Sequence, residues 1–210
     1  MLTDVFTVDV TKALEAVEGW LSDYIRQPHS ELGRSGPVCP FVAPAMDAGA
    51  LEIRVRLVGP TPSQQLVDAI VRCALDEFGE VGWKAGNPNL RSLLLVLPDL
   101  RAENLHLLDA AHSALKPESV RRGLMIGQFH ERCDEKAARN PAFEVSHAPV
   151  PMVAVRSMAI HDVLFLGERR EWFEEYVNRF GSRYQTSRSG IDPLLTTLYE
   201  RALRRHGREG

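Results

Sequence analysis

Apolar residues recur along this chain at two spacings, and the changes of spacing mark its elements. Leu14, Val17, Leu21 and Tyr24 fall at helical intervals, with Trp20 and Ile25 beside them and Asp9 or Thr11 able to cap. Pro28 disfavours a helical Gln27, so this helix ends there. A loop rich in glycine and proline follows from Pro28 to about Gly49. Leu51, Ile53, Val55 and Leu57 then alternate with Glu52, Arg54 and Arg56, which predicts a half-buried strand over Leu51–Val58. Thr61-Pro62-Ser63-Gln64 reads as a capping box with proline at the first helical position. The helix it opens carries Leu66, Ile70 and Cys73 on one face and should end near Gly79.

Leu93 to Leu97 is continuously apolar, so Ser92–Leu97 reads as an interior strand. Leu105, Leu108, His112 and Leu115 form another helical stripe, in which His112 reads as a packing residue. Leu124–His130 and Met152–Met158 are two further strands, joined by a polar loop of roughly twenty residues, a length usually tied to function or mobility. Trp172, Phe173, Tyr176, Val177 and Phe180 mark a helix stopped by Gly181, and Asp192-Pro193 caps a last one. This order predicts one α+β domain over residues 1–210, with 181–210 as a C-terminal helical extension. Its centre should be a small mixed sheet of about four strands with helices packed on it. Ile70, Cys73, Leu105, Leu108 and Trp172 are expected to be buried against that sheet.

Composition narrows the function classes. The 210 residues carry 25 basic and 28 acidic side chains, a net charge of -3, and no basic stripe that would grip nucleic acid. No apolar run is long enough for a membrane span. Met1 to Val10 holds two aspartates and no basic segment, unlike a signal peptide. Cys39, Cys73 and Cys133 form neither a disulfide ladder nor a metal knuckle. A reduced, cytoplasmic protein with a small-molecule partner is the expectation.

The candidate chemistry lies in two dense segments, Pro28 to Phe41 and Phe129 to Cys133. Pro28 to Phe41 gathers His29, Arg34 and Cys39 on one loop, where function is commonly carried. Cys39 offers a soft ligand, or else a small buried apolar side chain with Phe41 as a core anchor. His29 is a ligand candidate or a turn histidine. The planar fork of Arg34 suits a carboxylate, although a lone loop arginine also serves as a surface ion-pair partner. His130 ends a strand on the face of Ile126 and Gln128, where it could ligate a metal, act as acid–base, or sit as a satisfied core histidine. With Cys133 it offers two ligands where a structural zinc needs four. Asn140 and Phe143, in the long loop, could close over a site and touch substrate. Arg156, in an apolar strand, must face a cleft or find a partner, and Asp162 is the nearest candidate.

Several of these pieces travel together. PH-x2-LGR-x3-VCPF at 28–41, GQFH at 127–130, RNPAF at 139–143, APVPMVAVRSM at 148–158 and HDVLFL at 161–166 resemble a domain-of-unknown-function family common in actinobacterial biosynthetic clusters. The resemblance covers about Trp20 to Phe180. That family is distantly similar to a second uncharacterised one that keeps CPF and an FH-containing strand. It is also linked to the haem-dependent arginine N-hydroxylase of D-cycloserine biosynthesis. The resemblance implies a haem-dependent monooxygenase acting on a small polar amino acid. Either His29 or Cys39 would ligate iron, His130 and Arg34 would act at the reaction, and Arg156 would hold a carboxylate. Thiolate suits oxygen activation, but a free thiol with a pKa near ~8.5 needs cationic neighbours to ionise. Arg34 is the only cation close in sequence, so His29 is expected as the axial ligand and metal-binding residue, with Cys39 packed behind it.

Overall fold

The computed structural model describes residues 8–84, 86–186 and 190–207. Helix α1 (Val10–Trp20) starts where the Asp9 carboxylate accepts the Lys12 N–H, and runs into a π-helical turn, Leu21–Ile25. A short helix α2 (Val42–Asp47) lies within the expected loop and leads to strand β1 (Leu51–Val55). Ser63, rather than Thr61, caps α3 (Gln64–Glu80), because its backbone is extended and its hydroxyl accepts the Leu66 N–H. Strand β2 (Ser92–Val96), helix α4 (Leu105–Arg121) and strand β3 (Leu124–Phe129) follow. The long polar loop contains a hairpin, β4 (Lys136–Ala137) and β5 (Asn140–Glu144), before strand β6 (Met152–Ser157). Helices α5 (Val163–Leu166), α6 (Arg170–Thr186) and α7 (Pro193–His206) complete the chain.

All four expected strands lie in one mixed sheet of order β1-β2-β6-β3, although β1 ends at Val55 and Leu57, expected on its inward face, is exposed. β1 and β2 are parallel, with α3 as their crossover; β6 runs antiparallel to both β2 and β3. Leu93, Leu95, Leu97, Leu124, Ile126, Val153 and Val155 point to the face covered by α3 and α4. Leu94, Val96, Met152 and Ala154 point to the other face, under α1 and the 26–41 loop. Central β2 is therefore buried on both sides, which is why its sequence is apolar at every position rather than alternating.

Two packing expectations need correction. Cys73 is exposed, because α3 buries Val67, Val71, Ala74, Leu75 and Phe78 instead of the face through Leu66 and Cys73. Both stripes satisfy the helical period, and the one ending in Leu75 and Phe78 removes more apolar area from water. Trp172 is half-buried in a separate cluster of α5, α6 and α7, under the guanidinium of Arg169. That cluster reaches the sheet through Met125. Gly181 does not stop α6: it lies inside it, where a Cβ would stand 3.2 Å from the Tyr199 hydroxyl, so it permits the close approach of α7. Among the described residues no helix is long and apolar enough to cross a membrane.

Candidate functional site

A cavity of about 530 Å³ lies on the α1 side of the sheet. Its floor includes Leu94, Ala154, Gly127 and Phe129; its walls come from the 34–42 loop, the β4–β5 hairpin and one side of α4. The volume falls in the range of sites that enclose small ligands. Leu21 and Ile25 of the π-helical turn also line it.

The 26–41 loop is held tightly. Val38 and Cys39 donate backbone N–H bonds to Gln27 and Ile25 carbonyls at 2.9 and 3.0 Å. Arg34 ties the same turn by donating to the carbonyls of Ser35 and Val38. Gly33 has φ 69°, and a Cβ there would stand 2.8 Å from the Arg139 carbonyl oxygen, so the loop and the hairpin meet only over glycine. Arg34 and Cys39 thereby face the cavity.

Arg156 crosses the floor to Asp162. Its guanidinium donates to both carboxylate oxygens, at 2.8 and 2.6 Å, and stands 4.9 Å from the centre of the Phe41 ring. Asp162 is fully buried and also accepts the Ala159 N–H at 2.7 Å. Burial works against the Arg156 charge, but the charge and hydrogen bonds of Asp162 outweigh it and hold the pKa above its ordinary value; Cys39 is close enough to act in the same direction. Arg156 is thus already paired with a carboxylate of the protein.

The outer edge of β3 supplies the groups that sequence reading missed. The Ile126 carbonyl points away from β6, and there it meets both His112 Nε2 and Lys116 Nζ of α4 at 3.2 Å. Strand edges need such partners. The i,i+4 spacing of His112 and Lys116 puts them on one helix side, but the apolar stripe beside them masks that signal. Both line the cavity. Burial, reinforced by the charge of Lys116, lowers the His112 pKa to about 4, against opposing contributions from the Ile126 bond and Asp109. Burial and Arg156 lower Lys116 to about 8, while Asp162 and Glu135 push upward.

The His112 shift gives a pH signature. Folded His112 stays neutral down to about 4, whereas the unfolded side chain takes a proton near 6.5, so stability is lost as pH falls through that window. The loss should reach up to about 3 kcal/mol. Urea unfolding at pH 7 and pH ~4.5 should show His112→Gln, which still offers an N–H donor, to be less acid-sensitive than wild type. Equal sensitivity would contradict the assignment.

The other sequence candidates lie apart from the cavity. His29 caps the turn Ser30–Leu32 by accepting the Glu31 N–H, and its ring stacks on Phe143 at 4.4 Å. Asn140 donates to the Glu31 carbonyl at 2.7 Å. Phe143 and Asn140 thus pin the hairpin to the loop, and neither they nor His29 line the cavity. His130 is buried; Nε2 meets Asp109 at 2.8 Å, while Nδ1 accepts the Arg132 N–H at 3.2 Å. That network assigns the proton to Nε2 and leaves neither ring nitrogen free. Of His29, Arg34, Cys39 and His130, the cavity lining therefore includes Arg34 and Cys39. Both histidines are held by local bonds that a strand-and-loop pattern does not reveal.

The Asp109, His130 and Cys133 ligand atoms lie within 4.8 Å of one another, a metal-sized cluster whose third member sequence spacing did not show. Cys133 is buried, its thiol pushed up to about 11 chiefly by desolvation, and it donates to the Gln128 carbonyl at 3.6 Å.

The family model of a domain of unknown function, DUF6875, matches residues 14–190. The chain belongs to the DUF6875 family. No curated protein and no solved structure gives a match. In this DUF6875 domain the matched span contains the whole sheet, the loop with Cys39 and Arg34, and the Arg156–Asp162 pair.

Proposed function

We propose that this protein is a haem-dependent oxygenase that N-hydroxylates an amine or guanidine of a small polar amino acid, with Cys39 as the iron ligand. The observation that carries the ligand choice is the place of Cys39 on the cavity wall, where neither His29 nor His130 stands. The preference for His29 rested on a lack of cations near Cys39. Folding brings Arg156 close enough to interact with Cys39, with Asp162 already matching the Arg156 charge. The donor set fits: a soft sulfur, a largely apolar floor and cationic side chains suit a flat macrocycle bearing carboxylates. When bound, haem supplies oxygen activation, and a thiolate ligand favours O–O cleavage.

The protein's own residues have separable tasks. The Cys39 N–H bond to Ile25 fixes the sulfur-bearing loop. The Arg156–Asp162 pair fixes a guanidinium on the lining that also carries Cys39, so Arg156 works as a positioning residue rather than as a carboxylate anchor. Arg34 keeps guanidinium donors beyond those bound to Ser35 and Val38 and can meet a propionate or a substrate carboxylate. A haem-free enzyme is the alternative, and its acid–base group would be Lys116, since both nitrogens of His130 are occupied.

The test is an absorption spectrum of protein produced with a haem precursor. A strong Soret band is the expected result. A colourless preparation that also takes up no added hemin would overturn the oxygenase reading.

A further inference from the structure

We infer that the cavity holds the carboxylate of its ligand at Lys116, with Arg34 as a second cation on the facing loop. The inference rests on the same cavity and amino-acid substrate as the oxygenase reading, but not on its haem.

Five cations and three carboxylates line the cavity. Three of the cations are already matched: Arg156 with Asp162, Arg139 with Asp192 at 2.9 Å, and Lys136 with Glu144 at 2.5 Å. Among the described residues, Lys116 and Arg34 form no ion pair; their hydrogen bonds go to backbone carbonyls alone. Glu135, the remaining acid of the wall, is exposed and stays beyond ion-pair distance of Lys116, though its field reaches it. A half-buried ammonium with spare donors is costly to leave unmatched. Its depressed pKa records that cost, and a bound carboxylate would reverse it.

The donor set selects the anion. One ammonium with free donors and one partly committed guanidinium on the same lining make a sparse donor set, which suits a carboxylate. Phosphate sites gather more donors, typically a nest of backbone N–H groups or a helix start. The apolar floor around Leu94, Ala154 and Phe129 suits a ligand with a hydrocarbon portion behind its charge.

The chain has four lysines, Lys12, Lys84, Lys116 and Lys136, so their reactivity can be followed individually by mass spectrometry. The protein as purified is briefly acetylated with an uncharged amine reagent in propionate, propionamide or chloride at matched ionic strength. Propionate should slow acetylation of Lys116 saturably, reaching roughly tenfold at about ten times the half-protecting concentration. Lys12, Lys84 and Lys136 should be unaffected. Arg34→Gln should weaken the protection while Lys116 stays reactive. Protection by propionamide to the same degree, no protection, or a Lys116 unreactive under every condition would each overturn the inference. None of these outcomes bears on the Soret band, so this proposal and the oxygenase reading fail separately.

Discussion

Replacing Asp162 with alanine should cost the fold about 3 kcal/mol or more, the largest loss expected from any polar substitution near the cavity. Asp162 is fully buried and accepts three hydrogen bonds, two from Arg156 and one from the Ala159 N–H. Removing it leaves a largely buried guanidinium with no counter-charge and a backbone donor with no acceptor. Breaking a buried pair on one side typically costs about 3–5 kcal/mol. The partial exposure of Arg156 argues for the lower part of that range. Asp162→Asn keeps an acceptor for Ala159 and should lose less. The double variant Arg156→Met/Asp162→Ala should recover part of the loss, because no orphaned charge remains. Urea denaturation at neutral pH measures all three. A loss below about 1 kcal/mol for Asp162→Ala would show that solvent reaches the pair and screens it.

The second large effect concerns Cys39. If it holds haem iron, Cys39→Ala should abolish the red-shifted Soret band that marks a thiolate-ligated ferrous carbonyl complex, and His29→Ala should leave that band in place. Cys39→Ala should fold, since Cys39 is only half-buried and its backbone bond to Ile25 needs no side chain. His29→Ala should instead loosen the hairpin, because the ring stacks on Phe143 and its Nδ1 accepts the Glu31 N–H. A spectrum retained in Cys39→Ala and lost in His29→Ala would return the ligand role to the histidine. It would also require a rearrangement of the loop around Ser30–Leu32.

Much of the fold was legible because it depends on local period. The alternation of Leu51, Ile53 and Val55 turns one half-buried face of β1 to the α1-side cluster, and the unbroken run from Leu93 to Leu97 marks the central strand. Asp9 and Asp192 cap helices within a few residues of themselves, so capping chemistry located those two starts, whereas the cap of α3 lies two residues after the expected one, at Ser63. The hairpin β4–β5 was less legible. Lys136–Ala137 is too short to show a period, and Asn140 is fixed by a bond to Glu31 far along the chain.

The candidate site divides along the same line. The Pro28–Phe41 segment stood out because its residue types are unusual together on a loop, and two of its chemical groups, Arg34 and Cys39, do face the cavity. His29 belongs to the same segment yet turns to Phe143, because one turn of backbone at Ser30–Leu32 decides its direction. Lys116 and His112 looked like part of a packing helix. Only the placement of α4 along the free edge of β3 brings them to the Ile126 carbonyl and to the cavity. The sequence by itself therefore determined the four strands of the main sheet, the caps at Asp9 and Asp192 and the loop that carries Cys39, since each follows from bonds and burial over a few residues. The tertiary structure alone decided which histidines are spent, which cations lack a partner and where the cavity lies. Those properties depend on distances between segments remote in sequence, and no local pattern encodes them.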